Sequence, residues 1–242
     1  MHGPLKRGRG NCFEGWYVKV VDAAGSQPFA FIPGVFLGKD PHAFIQVLDG
    51  VVGRSWYVRY PISEFIPHKE CYEVQVGKSR FHAQGVELDI ELEAGMHLKG
   101  SLNFGEWSPW PVTLFSPGVM GPFTFIPMME CFHGILSMDH TVEGTLDFIG
   151  NTTDFAGGRG YMEKDWGKGF PEGYVWAHSN HFDRPGICIS ASVAKIPWIT
   201  GAFRGFLVGF LLDGTLHRFT TYTGAAIDSL EVTETHLHLK IH

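Results

Sequence analysis

A strict alternation of apolar and polar residues between Cys71 and Phe104 constrains the fold of this chain most strongly. Over Val86–Glu93, Val, Leu and Ile alternate with Glu and Asp, and Met96–Phe104 repeats the pattern after the Ala94-Gly95 turn. Successive side chains of a strand point to opposite faces, so a period of two indicates one buried and one solvated face. The segment therefore predicts an antiparallel meander.

Comparable short apolar runs recur along the rest of the chain, and none shows a helical period. The strongest turn signal is the Asp213-Gly214 pair between two such runs. Many evenly spaced strands predict an all-β, antiparallel sandwich or barrel. The further predicted strands are Trp16–Val21, Phe29–Leu37, Ala43–Leu48, Trp56–Tyr60, Gly134–Asp139, Gly144–Ile149, Gly158–Lys164, Tyr174–His181, Ile187–Ile196, Arg204–Leu212, Thr215–Thr223 and Leu230–Ile241.

One stretch, Trp107–Pro127, breaks the alternation. It carries five prolines, which cannot donate ladder hydrogen bonds, so it is not a central strand. It is also rich in Trp, Phe and Leu. We therefore expect a rigid connection between two β-units that is packed down onto the protein.

Composition excludes several classes of protein. The net charge of −6 and the pI near 6.1 argue against a nucleic-acid-binding protein, which would carry a basic surface and a high pI. The basic cluster Lys6, Arg7 and Arg9 suits a solvated arm or a lipid-headgroup contact. The start lacks an apolar signal-peptide core, and no apolar run reaches the length of a membrane span. We expect a cytosolic protein that contacts membranes peripherally to collect its ligand.

Two further compositional features bear on chemistry. The four cysteines are widely spaced without a CxxC pair, so we expect reduced thiols. The aromatic share of 14% indicates either an aromatic-lined cavity or simply the preference of β-sheets for rings.

Seven motifs occur together in one order along the chain. They are FEGWY (Phe13–Tyr17), HAFIQV (His42–Val47), SPGVMGPF (Ser116–Phe123), MMECFHG (Met128–Gly134), SMDH (Ser137–His140), GYMEKDWG (Gly160–Gly167) and SNHF (Ser179–Phe182). Each is weak alone, but the ordered set resembles the tocopherol cyclase family, and more distantly the carotenoid hydratases.

That resemblance implies a lipocalin-like architecture of two barrel-like halves, residues 1–115 and 116–242, the second ending early at His242. It implies a cofactor-free intramolecular cyclase, an isomerase that turns a prenylated benzoquinol into a chromanol. The partner would be a hydrophobic prenylated small molecule, which in bacterial members need not be the plant quinol. A hydratase acting through the same cation, and a non-catalytic carrier of prenyl lipids, remain as alternatives.

Ring closure requires an acid that protonates an alkene in a dry site. Asp165 is the first candidate, with Glu163 on the same face of a strand, while Lys164 and Trp166 face the other way. Two neighbouring carboxylates favour retention of a proton by one of them. The alternatives are solvent-facing carboxylates or a structural ion pair with Lys164.

The remaining candidates follow from their neighbours in sequence. Glu14, flanked by rings, is a catalytic carboxylate or a structural plug, and His140 and His181 are candidate bases or satisfied core histidines. Glu130 and His133 form an E-x-x-H pair, but an extended chain turns them to opposite sides, so no metal is predicted. The predicted substrate contacts are Trp16, Glu130, His133, Trp166, Trp176, Asn180 and Phe182.

Overall fold

The computed structural model of the protein describes residues 11–93, 95–126, 129–198 and 201–242. The basic cluster Lys6, Arg7 and Arg9 lies outside these ranges, as do Ala94 of the predicted turn and Met128 of the MMECFHG motif. Contacts divide the chain into two compact units. Unit 1 comprises Met1–Pro109 and Glu130–Phe170, and unit 2 comprises Trp110–Met129 and Pro171–His242. The predicted boundary between residues 115 and 116 falls inside the first segment of unit 2.

Unit 1 is one large antiparallel sheet with the strand order β4-β3-β2-β1-β12-β10-β9-β8-β7-β6-β5, and β11 pairs with β10. Its strands are β1 (Cys12–Val21), β2 (Pro28–Leu37), β3 (His42–Asp49), β4 (Arg54–Tyr60), β5 (Phe65–Pro67), β6 (Glu73–Val76), β7 (Ser79–His82), β8 (Gly85–Glu93), β9 (Met96–Phe104), β10 (Cys131–Phe148), β11 (Asn151–Asp154) and β12 (Gly158–Gly167). A 3₁₀ turn, Ile62–Glu64, precedes β5.

One face of this sheet curls around a filled apolar core. Side chains from both ends of the sheet meet in it, among them Trp16 of β1, Phe31 of β2 and Phe81 of β7, each at most 1% exposed. Alternation along β8 sends Val86, Leu88 and Ile90 into the same core. Aromatic side chains of unit 1 thus serve largely as core packing.

Unit 2 contains a four-stranded antiparallel sheet and a separate hairpin. The sheet has the order β13 (Tyr174–Ser179), β14 (Ile187–Trp198), β15 (Gly201–Leu212) and β16 (Thr215–Thr220), and the hairpin joins β17 (Ile227–Val232) to β18 (Leu237–Ile241). Val193, Phe206 and Val208 of the sheet pack with apolar residues of the hairpin. The segment Trp110–Met129 adds a 3₁₀ turn, Gly121–Phe125.

The structure confirms the predicted all-β, antiparallel fold class, since every described strand pair of both units is antiparallel. No described helix is both long and apolar enough to cross a membrane. The four cysteines are reduced thiols.

Three predicted strands were wrong in detail. Gly134–Asp139 and Gly144–Ile149 belong to one long strand, β10, whose bulges around Ser137 disturb the alternation without ending the strand. The predicted strand Leu230–Ile241 is a hairpin, because the Thr233 amide donates to the His236 carbonyl oxygen at 2.9 Å and closes a turn within it.

Candidate active site

The candidate site of unit 1 is built on β12, which lies between β1 and β10. The register places His133 of β10 opposite Asp165, and Tyr17 of β1 opposite Glu163. Residues opposite each other in an antiparallel ladder point to the same face. The register therefore gathers these side chains from three strands, which no local spacing reveals.

His133 lies between two carboxylates. Its Nδ1 is 2.9 Å from Asp165 Oδ1, and its Nε2 is 3.7 Å from Glu163 Oε2. The Tyr161 hydroxyl donates a short hydrogen bond to Glu163 Oε2. All three side chains of this acid–imidazole cluster, His133, Glu163 and Asp165, are at most 20% exposed. Glu163 and Asp165 share one face, as the alternation of a strand predicts.

The electrostatics of the cluster favour a retained proton. Burial alone lowers the pKa of His133, but the negative charges of Asp165 and Glu163 outweigh it, and the pKa rises to about 9. Burial, reinforced by Glu163, raises the pKa of the Tyr17 phenol, and burial with Asp165 and Glu163 raises that of the Cys131 thiol. At neutral pH the imidazole is therefore cationic, while the phenol and thiol stay neutral.

The same donor set suits a divalent cation, because ligand atoms of His133, Glu163 and Asp165 all lie within 4.8 Å of one another. The E-x-x-H pair of Glu130 and His133 seen in the sequence does not form this donor set. Glu130 precedes β10 and its side chain is exposed. His133 instead contacts carboxylates from another strand. Sequence reasoning also missed Tyr161 and Tyr17, although Tyr161 has the same parity along β12 as Glu163.

A second charged pair lies on the opposite face of β12, toward the core. The Lys164 ammonium forms an ion pair with the Glu14 carboxylate, both nearly fully buried. It also lies 4.8 Å from the ring centre of Trp16 and 5.0 Å from that of Trp166. Burial lowers the pKa of Lys164, and Glu14 partly offsets this. Lys164 thus pairs with Glu14, and both lie on the face of β12 opposite to Glu163 and Asp165.

His140 is a buried neutral imidazole on that same core side. The Ser137 hydroxyl donates to the Asp139 carbonyl oxygen, so it accepts from His140 Nδ1 at 3.0 Å. Burial lowers the pKa of His140 to about 4. Its Nε2 faces Gly160, where an added Cβ would lie only 2.2 Å away. The structure thus places this candidate base away from Asp165.

The other predicted residues lie in unit 2. Trp176 stacks on His178, whose Nε2 is 3.4 Å from the buried Cys188 thiol, a pair that sequence reasoning missed because its members lie on different strands. Asn180 is buried, whereas His181 and Phe182 are exposed. The catalytic and binding roles predicted for these residues stay predictions.

Fold and site together define a lipocalin-like antiparallel β protein that carries a buried acid–imidazole cluster. Residues 109–230 match the sequence profile of the tocopherol cyclase-like family. Because this match covers half of the chain, the protein belongs to that family. No match was found among curated proteins.

Solved structures share the fold at low sequence identity. Kievitone hydratase from Nectria haematococca superimposes with a TM-score of 0.53 and 12% identity, over 96% of this chain and 72% of its own. The structure of CghA superimposes with a TM-score of 0.54 and 10% identity, over 90% of this chain and 65% of its own. The structure of CghA with Sch210972 superimposes with a TM-score of 0.51 and 10% identity, over 85% of this chain and 59% of its own. The chain thus spans about 59% of the length of that last structure. These likenesses confirm the lipocalin-like fold class.

Proposed function

We propose that the protein is an isoprenoid-modifying cyclase that protonates a prenyl double bond of a prenylated benzoquinol and closes a chromanol ring. The observation that carries the proposal is the acid–imidazole cluster, in which His133 holds a proton between Asp165 and Glu163. An alkene is a poor base, so it requires a donor that is still protonated at neutral pH and shielded from water. A buried imidazolium hydrogen-bonded to a carboxylate meets both requirements.

Asp165 is the donor in this scheme, and His133 is the reservoir of the proton. The proton passes from His133 Nδ1 to Asp165 Oδ1 across the 2.9 Å contact, and the carboxyl group then protonates the alkene. Glu163 accepts the Tyr161 hydrogen bond and lies 3.7 Å from His133 Nε2, so its carboxyl group favours return of positive charge to His133. The carboxylates left behind stabilise the tertiary cation that forms.

Ring closure completes the reaction without another reagent. The phenol oxygen of the quinol attacks the tertiary carbon and forms the C–O bond, and its proton returns to Asp165 and from there to His133. Atoms and charge balance, so the reaction is an isomerisation and the cluster is restored. The cofactor-free chemistry expected from the family resemblance requires nothing more.

A hydratase is the second candidate, and one comparison favours it. Kievitone hydratase, by its name a hydratase, shares the fold over 96% of this chain. The same protonation would form the same cation, and water in place of the phenol oxygen would trap it.

The test is incubation of the protein with a prenylated benzoquinol in detergent micelles under reducing conditions, with chromatography and mass detection. Asp165→Asn removes the donor. Asp89→Asn is the matched control, because Asp89 contacts His97 at the same 2.9 Å but on the surface of unit 1. We expect a product of unchanged mass from wild type and Asp89→Asn and at least a hundredfold slower formation by Asp165→Asn.

Other outcomes contradict the proposal in different ways. A product heavier by one water would establish the hydratase. Intact substrate bound equally by wild type and Asp165→Asn would indicate a carrier. Equal turnover by Asp165→Asn and wild type would remove the cluster from the mechanism. Within the proposal, the rate should also fall as pH rises through about 9, where His133 loses its proton.

A further inference from the structure

The segment Trp110–Met129 of unit 2 exposes a pair of large apolar side chains at the tip of a tight turn. Leu114 is 82% exposed and Phe115 is 80% exposed. Among the described residues, the next most exposed large apolar side chains are Val112 at 70% and Val52 at 66%. Because both adjacent side chains are so exposed, they project from the surface and do not form a flat patch or a groove.

The backbone holds this projection in place. The Thr113 amide donates to the Ser116 carbonyl oxygen at 3.0 Å, and the Ser116 amide donates back at 3.2 Å. Pro111 and Pro117 restrict the chain on either side. Beyond the turn, the Tyr222 hydroxyl donates to the Val119 carbonyl oxygen at 2.8 Å, which ties the segment to the rest of unit 2. The apolar tip is thus a preformed feature of the segment.

The surroundings of the tip in sequence are free of charge. Residues 107–129 contain no Asp, Glu, Lys, Arg or His, although 18% of the whole chain is Asp, Glu, Lys or Arg. A charged side chain costs free energy when it enters the acyl region of a bilayer, whereas Leu and Phe gain it. A charge-free apolar projection therefore fits a lipid surface better than the mixed polar and apolar surface of a protein partner.

The same segment also lines an apolar pocket. Met120, Phe123 and Met129 meet Ile196 and Phe203 of the sheet in unit 2. The Phe123 and Phe203 rings stack with their centres 5.9 Å apart. One continuous segment thus carries an exposed apolar tip and part of an apolar pocket. The pocket has a volume of only about 60 Å³, so it adds to the apolar character of the segment and is too small to hold a prenyl chain.

We propose that the Val112–Ser116 turn inserts Leu114 and Phe115 into the membrane interface, where the protein collects its prenylated substrate. The choice of a membrane-dissolved substrate rests on the proposed function. The insertion itself rests on the exposure, rigidity and charge-free sequence of the turn.

The experiment is flotation of the protein with phosphatidylcholine vesicles. The test variant is Leu114→Ser/Phe115→Ser. The control is Val51→Ser/Val52→Ser, a second exposed apolar pair at a turn of unit 1, but one flanked by the charges of Asp49 and Arg54. We expect vesicle partitioning to fall by at least about tenfold in the test variant and to change less than about twofold in the control.

A second measurement does not depend on the fold of a polar variant. Phe115→Trp, compared with wild type, should show additional fluorescence that brominated phosphatidylcholine quenches. No vesicle binding by wild type, or equal losses in both serine variants, would overturn the proposal. A concentration-dependent dimer in analytical ultracentrifugation that Leu114→Ser/Phe115→Ser abolishes would identify a second copy as the occupant instead.

Activity separates this inference from the proposed function. If both hold, Leu114→Ser/Phe115→Ser loses turnover of vesicle-embedded substrate but keeps turnover of a soluble short-chain analogue. Vesicle binding that depends on the turn, without turnover by wild type, would support insertion and contradict the cyclase. Turnover by wild type without vesicle binding would support the cyclase and contradict insertion.

Discussion

Replacing Asp165 by asparagine should return the pKa of His133 from about 9 to near its ordinary value of about 6.5, or below it. The amide keeps the size of the side chain and removes its charge. Of the two carboxylates that raise the pKa of His133, Asp165 is the closer one and also its hydrogen-bond partner. The substitution therefore removes the larger favourable interaction of the imidazolium.

The size of the fall follows from the contact distances. Opposite unit charges about 4 Å apart interact by about 4 kcal/mol near a protein surface, and about 1.4 kcal/mol changes a pKa by one. Loss of Asp165 would thus lower the pKa by about two to three. Glu163, at 3.7 Å from Nε2, still favours the imidazolium, whereas burial disfavours it. These two effects oppose each other, so the pKa ends near or below 6.5.

The assay is a pH titration of histidine Cε1 resonances in protein labelled with ¹³C-histidine. The chain has 13 histidines, so a His133→Gln spectrum is needed to assign the resonance by its disappearance. Asp89→Asn serves as the control and should leave the His133 titration unchanged. The reasoning is refuted if His133 of the wild type titrates near 6.5, or if Asp165→Asn leaves a pKa of about 9 in place.

Three further predictions concern stability and can be measured by chemical denaturation. Because the pKa of His133 is raised in the folded protein, its protonation adds about 3 kcal/mol to the free energy of unfolding below pH 6.5, and this is lost as pH rises through about 9. Between pH 6.5 and 9 the free energy of unfolding of wild type should therefore fall by about 3 kcal/mol more than that of His133→Gln. Glu14→Gln should destabilise the protein by about 3 kcal/mol, since it leaves the Lys164 ammonium buried without its counter-charge. Gly160→Ala should cost about 1–3 kcal/mol, because its Cβ would lie 2.2 Å from His140 Nε2.

Each of these has a result that would contradict it. Parallel pH profiles of wild type and His133→Gln would mean that His133 is not held as a cation. A neutral effect of Glu14→Gln would mean that Lys164 is solvated or deprotonated in the folded protein. If Gly160→Ala is as stable as wild type, the imidazole of His140 can move aside without cost.

Alternation along the chain was sufficient to predict most of the strands and their faces. It predicted that Glu163 and Asp165 share a face of β12, and it marked Trp107–Pro127 as a segment outside the ladders. It did not distinguish one bulged strand from two in β10, because a bulge shifts the apolar period in the same way as a break does. Nor did it detect the turn inside the predicted strand Leu230–Ile241.

The sequence by itself determined the β-class, the motif order and the direction in which each carboxylate of β12 points, because these depend on residues close together in the chain. Only the tertiary structure decided which partners they meet. Strand register places His133 beside Asp165, although 32 positions separate them, and places Lys164 against Glu14 on the other face. Pairing between distant strands is set by how whole sheets bury their apolar faces, and no local pattern of residues encodes it.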